Sequence, residues 1–286
     1  MADINLEAEI VYDSYLPDAL ERALDYAGDD GFVASLPQLL HARTNASYDN
    51  IIWNTWFTSN SEENVLTTLE GQRVVVTVHG GGIFATPERF RKLFHANVSR
   101  FCDVAFTGLF AGKILEAEAH DLLDGKLPDG TEIPVFGFDE FKRGITDLPL
   151  RYAVIIDFEV ARLSNNGYVP FDDLTDDPMM IVRAGGVEAA AAYLDKTRDR
   201  HNTKVTGSWH PFNSINAEQP QTRVPILAGN KGGVGTEEED GHLNGYDSEY
   251  GMGGDSSIHN TSMINIARYV AVALRNESMS VRYLSF

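Results

Sequence analysis

The sequence predicts an α/β fold: a mainly parallel or mixed sheet with flanking helices, forming a single domain over residues 1–286. Three observations point there. Short β-branched runs alternate with amphipathic stretches, the pattern of strands joined by helices. The run Arg73–His79 (RVVVTVH) is a near-continuous β-branched run, as for a strand covered on both faces. No repeat of about 20–50 residues and no Pro- or Ser-rich linker divides the chain.

The elements follow in order. Leu16, Leu20, Ala23 and Leu24 share one helical face, with Ser14 as cap and Gly28 as stop. A short helix covers Leu36–Arg43, and the aromatic, β-branched run Ile51–Thr58 reads as a strand. After Arg73–His79 and Gly80–Gly82, Thr86-Pro87-Glu88 starts a helix running to about Val98. Asp103–Leu109 reads as a strand, Ala111–Leu123 as a helix stopped at Gly125, and Glu132–Phe138 as a strand. Tyr152–Val160 is the most apolar strand, and Met179–Arg183 is another. Val187–Arg198 is a strong helix, Lys204–Ser208 and Arg223–Leu227 are strands, Ser262–Leu274 is a helix, and Ser280–Phe286 closes the chain as a strand. An open sheet and an eight-fold barrel both fit this count, and the open or mixed sheet is preferred. In either, a site belongs at the carboxyl ends of the strands. The segment Gly229–Asn260 breaks the rhythm. It is rich in glycine and acid and longer than ordinary connections, so it reads as a functional loop.

Composition narrows the function. Net charge is −19, from 42 acidic and 23 basic residues, a field that repels nucleic acid and anionic membrane. No apolar run approaches the roughly 18–20 residues of a membrane span, and the start, MADINLEAEIVYD, has no secretory pattern. One cysteine, Cys102, excludes an internal disulfide and reads as a small core residue. The expectation is a cytoplasmic protein with no nucleic-acid or membrane partner.

Five clusters carry candidate chemistry. A strand running into His79-Gly80-Gly81-Gly82 resembles the oxyanion loop of the lipase and esterase α/β-hydrolases. The resemblance implies backbone N–H groups that meet a developing alkoxide. No G-x-S-x-G accompanies it, so a serine triad is not expected. The segment Asn230–Thr236 resembles the deviant phosphate loop of ParA- and MinD-type ATPases. It lacks the lysine before the threonine and runs into Glu237–Asp240, so no nucleotide is expected. In the same long loop His242, Asp247, Asp255 and His259 are candidate ligands for a divalent metal, because oxygen and imidazole donors interleaved with glycine suit such ions. Asp157 and Glu159 stand two apart at the end of an apolar strand. A period of two puts both on one face, as an acid pair. Finally, His210 lies between Trp209 and Phe212 after a strand and is a candidate general base.

Two functions remain. The first is a hydrolase-like enzyme using acid–base or metal-assisted chemistry on a small polar substrate. In it Asp157 and Glu159 bind metal or act as base, His210 moves protons and Gly80–Gly82 hold an oxyanion. The second is a non-catalytic binding or self-assembling α/β protein. There Trp53–Phe57 and Tyr246–Tyr250 supply aromatic contacts, and Val281–Phe286 extends the sheet of a second copy in a homo-oligomer.

Overall fold

The structure, a computed structural model, describes residues 4–13, 15–55, 57–83, 86–91, 114–201, 205–208, 212, 220–227, 247–248 and 267–276. It is a mixed α/β architecture with several sheets.

The described residues near the two ends of the chain pair with each other. Strand β1 (Ile4–Asp13) runs antiparallel to β13 (Ala267–Asn276), from Ile4 opposite Asn276 to Asp13 opposite Ala267. β2 (Phe32–Val33) flanks β13 on its other side. Helix α1 (Leu16–Ala27) lies on this sheet. It buries Ala19, Leu20 and Ala23 against Val11, Tyr269 and Ala271. Small residues at 271 and 273, both buried, let the helix approach closely. The other side of β13 turns Val270 into a second core shared with helix α2 (Leu36–Asn45) and with Trp53 of the one-turn helix α3 (Ile51–Asn54).

The central sheet has five strands. In spatial order they are β10 (Gln221–Arg223), β4 (Ser61–Thr67), β5 (Arg73–His79), β7 (Tyr152–Asp157) and β6 (Val135–Gly137). Only the β6–β7 contact is parallel, and the other three are antiparallel. Of the two expected forms, mainly parallel or mixed, the sheet is the mixed one. β4 and β5 form a hairpin, and β5 then meets β7 antiparallel, so the strand ends alternate in direction instead of gathering at one rim.

Register separates the two faces of this sheet. Val74, Val76, Val78 and Ala153 pack with Leu66 and with Ala119 and Leu122 of helix α4 (Glu116–Leu123). On the opposite face Val65, Val75 and Ile156 pack with Phe158 and Ala161 of helix α6 (Phe158–Leu163). Beside them Tyr152 and Val154 meet Phe141 of helix α5 (Phe138–Lys142), together with Ile181 and Val182 of helix α8 (Pro178–Ala184). Helix α7 (Phe171–Leu174) and the long helix α9 (Val187–His201) join the α2 core. Two small sheets complete the description: β8 (Gly167–Pro170) with β9 (Val205–Ser208), and β11 (Ile226–Leu227) between β12 (Asp247–Ser248) and β3 (Phe57–Thr58).

Three predicted elements take the other form. Met179–Arg183 is helix α8, because Asp177 caps it by accepting from Met180 N–H and Gly185 ends it in the left-handed region. Ile51–Thr58 splits into α3, capped by Asn50, and β3. The predicted helix Ser262–Leu274 is strand β13 over its described part. The expected strands Asp103–Leu109 and Ser280–Phe286 lie outside the described residues, as does the loop Gly229–Asn260 apart from Asp247–Ser248.

Candidate functional site

The loop after β5 carries the resemblance to an oxyanion hole. His79 is fully buried between three elements. Its Nε2 lies 3.0 Å from the Val182 carbonyl, which can only accept, so Nε2 carries the proton and donates. Nδ1 then accepts from Ser61 Oγ at 2.9 Å, and Ser61 Oγ accepts from Leu36 N–H at 2.9 Å. One relay thus links the start of α2, β4, β5 and α8. Burial pushes the imidazole pKa down to about 4, against a smaller opposing pull from the Val182 carbonyl.

The glycine amides are committed. Gly80 and Gly81 N–H both donate to Asn60 O at 2.9 Å. Gly82 N–H donates to Glu62 Oε1 at 3.2 Å, and Ile83 N–H to Glu62 Oε2 at 2.7 Å. Oxyanion stabilisation needs donors aimed at a reacting atom, and these four are aimed at the chain itself. Glycine is required at position 80 for shape: φ is +84° and a Cβ would stand 2.3 Å from Leu150 O.

Asp157 and Glu159 do not form an acid pair. The strand ends at Asp157, which becomes the N-cap of α6 and accepts from Glu159 N–H at 2.8 Å and Val160 N–H at 3.2 Å. The Gln72 amide, donating to Asp157, is the largest influence holding its carboxyl below the ordinary range; the two helix N–H groups act the same way. Glu159 sits on the exposed helix and pairs with Arg162. Asp157→Ala should therefore cost about 1 kcal/mol, the ordinary value of a lost cap, measured by urea denaturation.

His210, His242, Asp255 and His259 lie outside the described residues, and only the strand backbone of Asp247 is described. Among the described residues no group of three or more His, Cys, Asp or Glu is placed to hold a metal ion. Within the aromatic segment Trp53–Phe57, Trp53 and Phe57 are core instead of contact surface. Trp53 is fully buried, stacked 6.3 Å from Tyr193 with Arg43 and Arg200 beside its ring.

Sequence reading overlooked the acids of β4. Glu62 and Glu63 are adjacent, so they leave the strand on opposite faces, and both are buried. Glu62 holds the Gly82–Ile83 turn. Glu63 meets Arg183 of α8 in a two-pronged pair, Nε to Oε1 at 2.6 Å and Nη2 to Oε2 at 3.1 Å, with both side chains 0% exposed. The run SEENVL looks like a solvated strand, and only the sheet register reveals two buried carboxylates.

One open recess stands apart from this interior. It holds about 340 Å³ between α6 and the turn from α7 into α8. Val160, Leu163 and Pro178 give it apolar walls, and Asn165, Asp173 and Asp176 give it a polar side.

No known protein family matches the chain, and no curated protein matches it. Among solved structures the chain is similar to one described as "Accommodation of massive sequence variation in Nanoarchaeota by the C-type lectin fold". The two are 22% identical, with a TM-score of 0.60 over 94% of this chain and 98% of that one. At that identity the likeness shows the fold alone, the C-type lectin fold. It overturns the hydrolase reading, which rested on strand ends gathered at the rim of a parallel sheet. The expected metal ligands His242, Asp255 and His259 lie outside the described residues, and the described residues by themselves supply no ligand set. No described helix is long and apolar enough to cross a membrane.

Proposed function

We propose that this chain is a non-catalytic binding protein that uses the C-type lectin fold as a rigid frame for a recognition surface. The observation that carries the reading is the likeness in fold over 94% of the chain. The commitment of the described candidate groups supports it. His79, Gly80–Gly82, Asp157 and Glu159 all make bonds that hold the frame together. The neighbour's description speaks of that protein accommodating massive sequence variation. A frame of this kind suits such a use here. Its buried charges are satisfied from within, as with Glu63 and Arg183, so surface residues can change without disturbing the interior.

The reading is tested by turnover. Activated esters, phosphate monoesters, amides and glycosides, offered with and without added divalent metal, are expected to show no hydrolysis above buffer. Hydrolysis that Asp157→Asn or His210→Ala abolishes would restore the enzyme.

A further inference from the structure

We infer that the recess beside α6 receives a lysine- or arginine-bearing segment of a separate partner protein. This rests on the binding reading and names the partner's chemistry. The recess combines an apolar wall with an acidic side. Val160 and Leu163 lie one turn apart on α6 and face solvent, with Leu163 74% exposed. Next to them stand the exposed carboxylates of Asp173 and Asp176. A lysine or arginine side chain has the same two parts, an aliphatic stem and a cationic head. A phosphate or other anion is disfavoured by the carboxylates and by the net charge of −19.

The acids of the recess differ from their neighbours. Asp172 is paired with Arg198, and Glu159 with Arg162. Asp177 is turned inward, with Oδ1 capping α8 and Oδ2 accepting from Asn165 N–H at 2.7 Å. Asp173 and Asp176 have no cationic partner among the described residues. An incoming cation would meet these two carboxylates directly.

The walls are tied together before any ligand arrives. Asn165 Nδ2 donates to Asp173 O at 3.0 Å and to Asp177 Oδ2 at 3.2 Å, joining the end of α6 to α7 and to the start of α8. Phe171 and Leu174 anchor α7 in the core. A preformed site loses less entropy on binding. Its volume, about 340 Å³, is at the low end for ligand recesses, which run from about 300 to 1,000 Å³. It therefore suits one or two side chains of a docked segment.

The probe is a fluorescein-labelled decapeptide of alternating leucine and arginine, read by polarisation at physiological salt. Saturable one-to-one binding is expected. Asp173→Asn with Asp176→Asn should weaken it about tenfold, as two rim ion pairs would. Leu163→Ser should weaken it about threefold through the lost apolar contact. A peptide with citrulline in place of arginine should lose binding as the double variant does. Asp29→Asn with Asp30→Asn removes the same charge from an exposed turn elsewhere and should leave affinity unchanged. Equal loss in that control, no binding by the native chain, or indifference to the recess variants overturns the assignment. So does self-association by sedimentation that the recess variants abolish, since the occupant would then be a second copy. This assignment fails by polarisation and the binding reading fails by turnover, so the two are told apart.

Discussion

Glu63→Gln is expected to remove about 3–5 kcal/mol of stability, because it takes the Glu63 charge away from a buried guanidinium. Arg183 and Glu63 are both 0% exposed, so water cannot replace the lost partner. Arg183→Met should cost a similar amount from the other side. The thermal midpoint should fall by roughly 2–4 °C for each kcal/mol. Glu63→Leu with Arg183→Met should recover most of the loss, since apolar groups of similar volume often replace a buried ion pair without penalty. Urea denaturation of the native chain, Glu63→Leu, Arg183→Met and the double variant closes a double-mutant cycle. Single variants within about 1 kcal/mol of the native chain would mean that the pair is hydrated and not part of a dry interior.

The second large effect concerns acid. His79 has its pKa pushed down to about 4, whereas in the unfolded chain it titrates near the ordinary value of about 6.5. As pH falls from 6.5, the unfolded chain takes up the proton first. The contribution of His79 is therefore whole above 6.5, declines through the window from 6.5 to 4, and is gone below it. The whole decline amounts to about 3 kcal/mol. His79→Gln keeps a donor for Val182 O and removes the proton uptake. Its stability between pH 5 and 6.5 should be nearly flat while that of the native chain slopes. Asp129 and Asp157, whose pKa values are lowered, act below the upper part of this window and do not mimic the slope there. The same slope in both proteins would move the proton uptake to another group.

Much of the fold was legible where one signal acted alone. β5 occupies Arg73–His79 as read, since a β-branched run covered on both faces has few alternatives. α9 extends the expected Val187–Arg198 by one turn, to His201. Legibility failed where two signals competed. In Pro178–Ala184 an apolar, β-branched run hid a helix, because a helix buried all round has no periodicity to read. The cap Asp177-Pro178 was the signal that would have found it. In Ala267–Asn276 alanine favoured helix, but Tyr269 and Ala271 turn toward α1 and the backbone pairs along the whole of β1. That pairing joins residues more than 250 positions apart, and no local window contains it.

The candidate site failed for a related reason. Strand direction is invisible in a sequence of alternating elements, and the enzyme reading required parallel strands. Antiparallel pairing of β5 with β7 sets His79 opposite Tyr152 and Val74 opposite Asp157, at opposite ends of the pair. His79 and Asp157 therefore do not share a rim. The glycines after His79 did mark something real: a turn whose amides are gathered by Asn60 and Glu62. Residue types alone do not separate a loop that binds its own chain from one that awaits a ligand.

Amide hydrogen exchange at Gly80, Gly81, Gly82 and Ile83 tests most directly whether this loop is frame and not catalytic machinery. All four N–H groups should be protected in the native chain. Glu62→Gln should speed exchange at Gly82 and Ile83 while Gly80 and Gly81, bonded to Asn60 O, stay slow. Fast exchange at Gly80–Gly82 in the native chain, at the rate of an open loop, would mean that these donors are free for a ligand and would contradict the account.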